Sequence, residues 1–349
     1  MPWFFLACQV PEQPPVEVEA DSAADDTDEF EGDRLVFQGF LELAGAMDVA
    51  GERDVVVLAG GNHPTVDVLI ADVSDPTQPT ALATLEDIGD TRDVHLEDGI
   101  LYTSHESEPV GARIWDLSDP TEPTLLGVTG AGEQIHNLHV GGGHLYLADI
   151  SAQAVRIYDV ADPAEPLYVG HWAPSGGGVH DQTWVDDRLY VAGTFGFTVL
   201  DVSDPADPQT LHEWSADSFE DGVHNIWPTA DGRHVLTTHE VLGGSVRVFD
   251  LEAGPAELTR WPESEPNCAH NVVVDGDYAF VAWYLEGLKV LDISDPSAPE
   301  LVGAYDTWDA EGPDPLDKCI INGAFGVRPQ DDRVLLGGES GLWVFDFDR

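Results

Sequence analysis

Five histidines open five short apolar runs in nearly the same setting: His95 in DVHL, His136 in IHNL, His180 in VHDQ, His224 in VHNI and His270 in AHNV. Asn137, Asp181, Asn225 and Asn271 follow four of them, and Asp48 and Asn322 stand at about the same place in the outermost copies. A second set, His105 with Glu106 and His239 with Glu240, closes the runs that come next. Imidazole and carboxylate donors held on rigid elements around one opening are what Zn or Cu requires, with a coordination position left for water or substrate. The metal reading takes His105, Glu106, His239, Glu240, His136, His180, His224 and His270 as ligands. A second use competes with it. A His with its following Asn or Asp can cap a strand by bonding backbone groups of a neighbouring unit, and a repeat reuses such a device in every copy. Repetition weighs toward that structural use, because a catalytic centre is built from a few unlike residues.

The elements that must position these groups repeat along the chain. The stretch LKVLDISDPSAP from Leu288 to Pro299 has close copies ending at Pro79, Pro123, Pro166 and Pro208, a looser copy from Val246 and a truncated one, LWVFDFDR, at the C-terminus. The Asp that closes each apolar run is Asp72, Asp116, Asp159, Asp201, Asp250, Asp292 or Asp346, a mean spacing of about 46 residues, which is the length of a propeller blade. Each unit reads as four short strands bounded by Gly, Asp and Pro. In the sixth, HNVVV turns at Asp275-Gly276-Asp277 into YAFVAW, and two further runs follow. One four-stranded sheet cannot bury both faces, whereas seven packed around an axis can. The last copy lacks its fourth strand, and Leu35 to Leu43 is an unclaimed strand that would supply it and remove a free edge. The expected fold is therefore all-β, a seven-bladed β-propeller of four-stranded antiparallel blades over 34–349, closed by Leu35–Leu43.

Repeats that end in this hydrophobic strand and Ser-Asp-Pro turn resemble the LVIVD repeats of bacterial and archaeal surface proteins. The resemblance covers Arg34 to Arg349, departing at Glu252-Ala253-Gly254-Pro255 and at the truncated last copy. It implies an exported propeller of a kind that mostly has no assigned biochemical role.

Composition narrows the partners. With 14 basic and 66 acidic residues the net charge is −52, which repels nucleic acid and anionic membrane surfaces and suits either a saline habitat or an acidic extracellular protein. Residues 1–8, MPWFFLAC, resemble the end of a lipoprotein signal, with Cys8 as the lipidation site. Residues 9–33 are an acidic, Pro-led spacer. The membrane is thus expected to be met only through a lipid anchor, at the cell surface or in the periplasm. Cys268 and Cys319 fall at matching places in adjacent units and are expected to form a disulfide, against the alternatives of two thiols or copper ligation. The Ser-Asp-Pro turns lack the spacing of a calcium loop, and no P-loop, G-x-S-x-G or dinucleotide fingerprint is present.

Taken together, the residues favour a monomeric, exported, surface-tethered binding or scaffold module over an enzyme. Its ligand, an unidentified protein or small molecule, would meet His95, His136, Asn137, His180, Asp181, His224, Asn225, His270, Asn271, Asn322 and Asp48 at the channel mouth. No cofactor is specified. The alternative is a Cu- or Zn-dependent enzyme on the same face.

Overall fold

Alternating apolar residues in runs of four to eight, separated by tight turns, build antiparallel sheets. The computed structural model describes residues 34–107, 109–130, 132–216, 222–241, 244–262, 268–307 and 322–349. Among the described residues, twenty-eight strands form seven four-stranded sheets. We number the sheets as blades 1 to 7 and letter their strands A to D from the axis outward. The A strands are Asp48–Glu52, Thr91–Glu97, Ile135–Gly141, Val179–Val185, Asn225–Pro228, Ala269–Asp275 and Ala324–Gln330. Among the described residues the helical structure is one 3-10 turn, Tyr284–Glu286, and no helix is long and apolar enough to cross a membrane.

Strand D of blade 7 is Leu35–Glu42, paired antiparallel with Gly341–Phe347 so that Leu35 faces Phe347 and Glu42 faces Gly341. The ring closes as expected. Leu35 is buried in the apolar cluster shared by blades 6 and 7, Phe37 stacks on Tyr305 at 5.5 Å, and Phe40 meets Trp343 at 4.7 Å. Arg34 donates from Nη1 to the Tyr278 hydroxyl at 2.7 Å.

The core is divided among the seven blade interfaces. Ile70 and Leu85 of blade 1 pack with Leu96 and Trp115 of blade 2, and Val246 of blade 5 packs with Val281 and Trp283 of blade 6. Burying each such side chain contributes roughly 1.5–3 kcal/mol, so no interface can be opened cheaply.

The Ser-Asp-Pro segments are successive side-chain-capped turns. Asp292 Oδ1 accepts from the Ser294 N–H at 2.9 Å and Asp295 Oδ1 from the Ser297 N–H at 3.0 Å, with the same pairs in the earlier blades. Their carboxylates are used locally, as the turn reading expects. The turn of one blade also packs on strand D of the blade before it. A Cβ on Gly39 would lie 2.3 Å from the Pro76 carbonyl oxygen, and one on Gly127 2.4 Å from that of Pro163. Glycine at this point lets the blades approach.

Candidate functional site

Strand register, not residue type, defines which side chains share the channel mouth. In blade 4 the pairing of strands A and B slips between Val179 and Asp181, and the same irregularity recurs at Thr91/Val94, Ile135/Leu138, Ala269/Asn271 and Ala324/Gly326. Such a bulge breaks the two-residue alternation, so two consecutive residues point toward the neighbouring blades' inner strands. Aligning the seven A strands on this register places Met47, Arg92, His136, His180, His224, His270 and Phe325 at one mouth position. Asp48, Asp93, Asn137, Asp181, Asn225, Asn271 and Gly326 form a belt one residue deeper.

Four histidines therefore stand side by side. Ring centroids are 4.4 Å apart for His136 and His180, and 4.2 Å for His180–His224 and for His224–His270. His270 then meets Tyr284 at 4.8 Å and Phe325 at 5.3 Å. The remaining arc contains Met47 and Arg92, whose Nη1 lies 2.9 Å from Met47 Sδ.

Hydrogen bonds set the tautomers. His180 Nδ1 is 3.0 Å from the His224 carbonyl oxygen and His270 Nδ1 is 2.7 Å from that of Phe325. A carbonyl only accepts, so both Nδ1 atoms carry the hydrogen and both Nε2 atoms keep a lone pair. Two carboxylates reach the arc from the B–C loops. Glu106 Oε2 lies 2.8 Å from His136 Nδ1 and 3.6 Å from Arg92 Nε. Glu240 Oε2 lies 3.5 Å from His224 Nε2, and its Oε1 accepts from the Tyr284 hydroxyl at 2.5 Å.

Burial holds His180 and His224 well below the ordinary imidazole range, with neighbouring imidazoles adding to the shift, and burial brings His270 down to about 4. Burial raises Glu240. It works the same way on Glu106, but the His136 hydrogen bond and the charges of His136 and Arg92 outweigh it and lower that pKa. At neutral pH His180, His224 and His270 are thus uncharged imidazoles. Among the described residues, His180, His224 and Glu240 bring one donor atom each within 4.8 Å of the others.

The belt does different work. Asp48 Oδ2 accepts from the Val94 N–H at 3.1 Å, and Asp93 Oδ2 from the Leu138 N–H at 2.6 Å. Asn137 Oδ1 accepts from Gln182 Nε2 at 2.9 Å and Asp181 Oδ2 from Asn225 Nδ2 at 2.8 Å, while Asn225 Oδ1 accepts from the Val272 N–H at 3.0 Å. Each bond joins one blade to the next. Blade 7 has Gly326 here, where a Cβ would stand 2.3 Å from Asp48 Oδ1. Burial raises the pKa of Asp48 and Asp93, and pushes Asp181 up to about 7.

Several expected positions shift. His95 is not at the mouth: Thr91 pairs with His105, so Arg92 takes the mouth position of blade 2 and His95 lies three residues deeper. There it packs against His139 at 4.9 Å, with both imidazoles depressed by burial, His139 to about 3. Asn322 precedes the mouth position of blade 7, which Phe325 holds, and Asp48 belongs to the belt. His105 and His239 are fully buried, with Nε2 3.0 Å from Thr103 Oγ1 and from Thr237 Oγ1 respectively, apart from the imidazole arc that Glu106 and Glu240 reach. Met47, Arg92, Tyr284, Phe325 and His139 were not expected at the site. His136-x-x-His139 repeats the spacing of Arg92-x-x-His95, which is the signal that would have aligned blades 2 and 3. Cys268 is buried and disulfide-bonded, two residues before His270; Cys319 and Cys8 lie outside the described residues.

The LVIVD repeat pattern matches residues 185–213 and 268–307, which are most of blade 4 and all of blade 6. No curated protein matches the chain. The crystal structure of the computationally designed Ika8 protein is similar in fold, with a TM-score of 0.61 and 11% identity over 90% of this chain and 100% of that one. The molecule is a seven-bladed β-propeller that carries LVIVD repeats.

Proposed function

We propose that the protein is a binding module whose ligand sits on the imidazole arc of the channel mouth and carries a positive charge or strong hydrogen-bond donors. The observation that carries this reading is the row of four histidines, two of which direct Nδ1 into backbone carbonyls and so leave Nε2 as an acceptor. Lone pairs on neutral imidazoles, beside Glu106 and Glu240, attract cations and donors and repel anions. The fold does not demand imidazole at this position, because Met47, Arg92 and Phe325 occupy it in the other blades.

The module acts outside the cytoplasm, held at the cell surface through a lipid on Cys8, with 9–33 as the spacer. The disulfide at Cys268 supports an oxidising compartment, and the surface charge supports an aqueous, cation-rich setting. Cys8→Ala protein should leave the membrane fraction; retention there would count against the tether.

A thermal-shift panel of organic amines and divalent cations in 150 mM NaCl tests the binding reading. Any cation can screen a chain of charge −52, so the control is His180→Ala/His224→Ala, which leaves that charge unchanged. A ligand at a hundred times its Kd should stabilise the parent by about 2.7 kcal/mol and leave the double variant unmoved. Equal responses in the two proteins would remove the mouth from the account.

A further inference from the structure

We propose that His180, His224 and Glu240 are the protein ligands of a transition-metal site of the zinc class, with a fourth position open to the channel mouth. The inference rests on the mouth being the ligand face and names what binds there.

Three observations meet at these residues. The first is donor chemistry: two imidazole nitrogens and one carboxylate oxygen form an N,N,O set, which suits Zn and neighbouring first-row dications rather than calcium or magnesium, whose sites are built of oxygen. The second is geometry. Bonds of about 2.0–2.1 Å in a tetrahedron place donors roughly 3.3–3.4 Å apart, and His224 Nε2 and Glu240 Oε2 are already 3.5 Å apart. His180 completes the triangle within 4.8 Å, a distance that small rotations of the imidazole and of Glu240 can close. The third is the support behind the ligands. His180 gives its Nδ1 hydrogen to the His224 carbonyl, and Tyr284 gives its hydroxyl hydrogen to Glu240 Oε1, leaving Oε2 for the metal. Such partners orient both ligands, and the carbonyl acceptor also raises the basicity of the His180 imidazole.

The position of the set fits an exchangeable ion. His180 and Glu240 are half-buried and His224 is buried, while His136 and His270 flank the pair at 4.2–4.4 Å. Glu240 supplies one negative charge against a dication, so the bound site keeps a net positive charge that would draw an anionic or neutral donor ligand to the open position. His105 and His239 take no part.

The test uses the full-length protein after chelator treatment, in 150 mM NaCl with 1 mM Ca2+ to occupy the acidic surface. Titration with Zn2+ by calorimetry, and with Co2+ by visible absorption, should give one equivalent and the d–d bands of a four- or five-coordinate site. His224→Ala and Glu240→Gln should each weaken Zn2+ by at least about 100-fold, and Tyr284→Phe, which keeps the ring and removes only the hydroxyl, by about 10-fold. His95→Ala, deep in the channel, should change it by less than about threefold. Unaltered circular dichroism shows that each variant is folded, and Tyr284→Phe alone is sufficient if an alanine variant is not.

No stoichiometric uptake, or uptake indifferent to these changes, overturns the site. Loss with the histidine variant but not with Glu240→Gln overturns this ligand set. If amines shift the parent and Zn2+ does not, the metal site falls while the binding module stands; if neither does, both fall.

Discussion

Two rings of side chains, one residue apart on the same seven strands, are built differently. The belt is bonded from blade to blade: Asp48, Asp93, Asn137, Asp181 and Asn225 each accept a hydrogen from the next blade. The mouth ring is unlike around its circumference, with imidazoles on blades 3 to 6 and a thioether, a guanidinium and a phenyl ring on the others. A structural cap has to recur at every joint, and the belt nearly does. The mouth does not, although His180 and His270 also bond a backbone carbonyl of the next blade, so imidazole there is used at only some of the joints. Of the two readings offered by the sequence, capping describes the Asx residues and, in part, His180 and His270, while ligand binding is our proposal for the mouth imidazoles.

The sharpest way to break this division is at the belt. Asn225→Leu keeps the size of the side chain but removes the acceptor for the Val272 N–H and the donor to Asp181, both buried. We expect it to lower the unfolding free energy by roughly 3–4 kcal/mol, read as the urea midpoint, since each stranded buried group costs about 1–3 kcal/mol. A loss below about 1 kcal/mol would mean that the belt does not hold the blades.

A pH series sharpens the same contrast. The folded pKa of Asp181 is raised to about 7 by burial, against an unfolded value near 3.8. The native state therefore holds this proton more tightly, and the contribution to stability is present below pH ~4 and lost as pH rises through 7. Asp181→Asn still offers an oxygen to Asn225 and does not titrate. It should gain on the parent between pH 4 and 7 by up to roughly 3 kcal/mol, at about 1.4 kcal/mol per unit. Parallel pH profiles for the two proteins would show that this carboxyl titrates as it does in the unfolded chain.

The blades, the closing strand and the turns were legible because they depend on local patterning: apolar alternation, Gly and Pro at turns, and a repeated Asp. The site was legible only in part. Four of the five matched histidines share the mouth, but the fifth, His95, was aligned by its residue type, whereas strand pairing aligns Arg92 there. The bulge that turns two consecutive residues toward the channel is invisible to a two-residue period. His105 and His239 end their strands as expected, yet T-x-H in YTSH and LTTH puts the imidazole on the same side as a threonine that points between blades. Glu240 was legible as a residue near the mouth, while Tyr284, which orients it, comes from a different blade and has no signature in sequence.

The central claim is that the mouth imidazoles bind and the belt holds. Urea unfolding of ligand-free His180→Ala/His224→Ala, run beside Asn225→Leu, tests it directly. The account predicts that the double histidine variant loses less than about 1.5 kcal/mol, because what is removed is one imidazole bond to a backbone carbonyl, the His224–Glu240 contact and the ring contacts along a mouth that water can reach. A loss equal to or greater than that of Asn225→Leu would contradict it and return the histidines to a purely structural role.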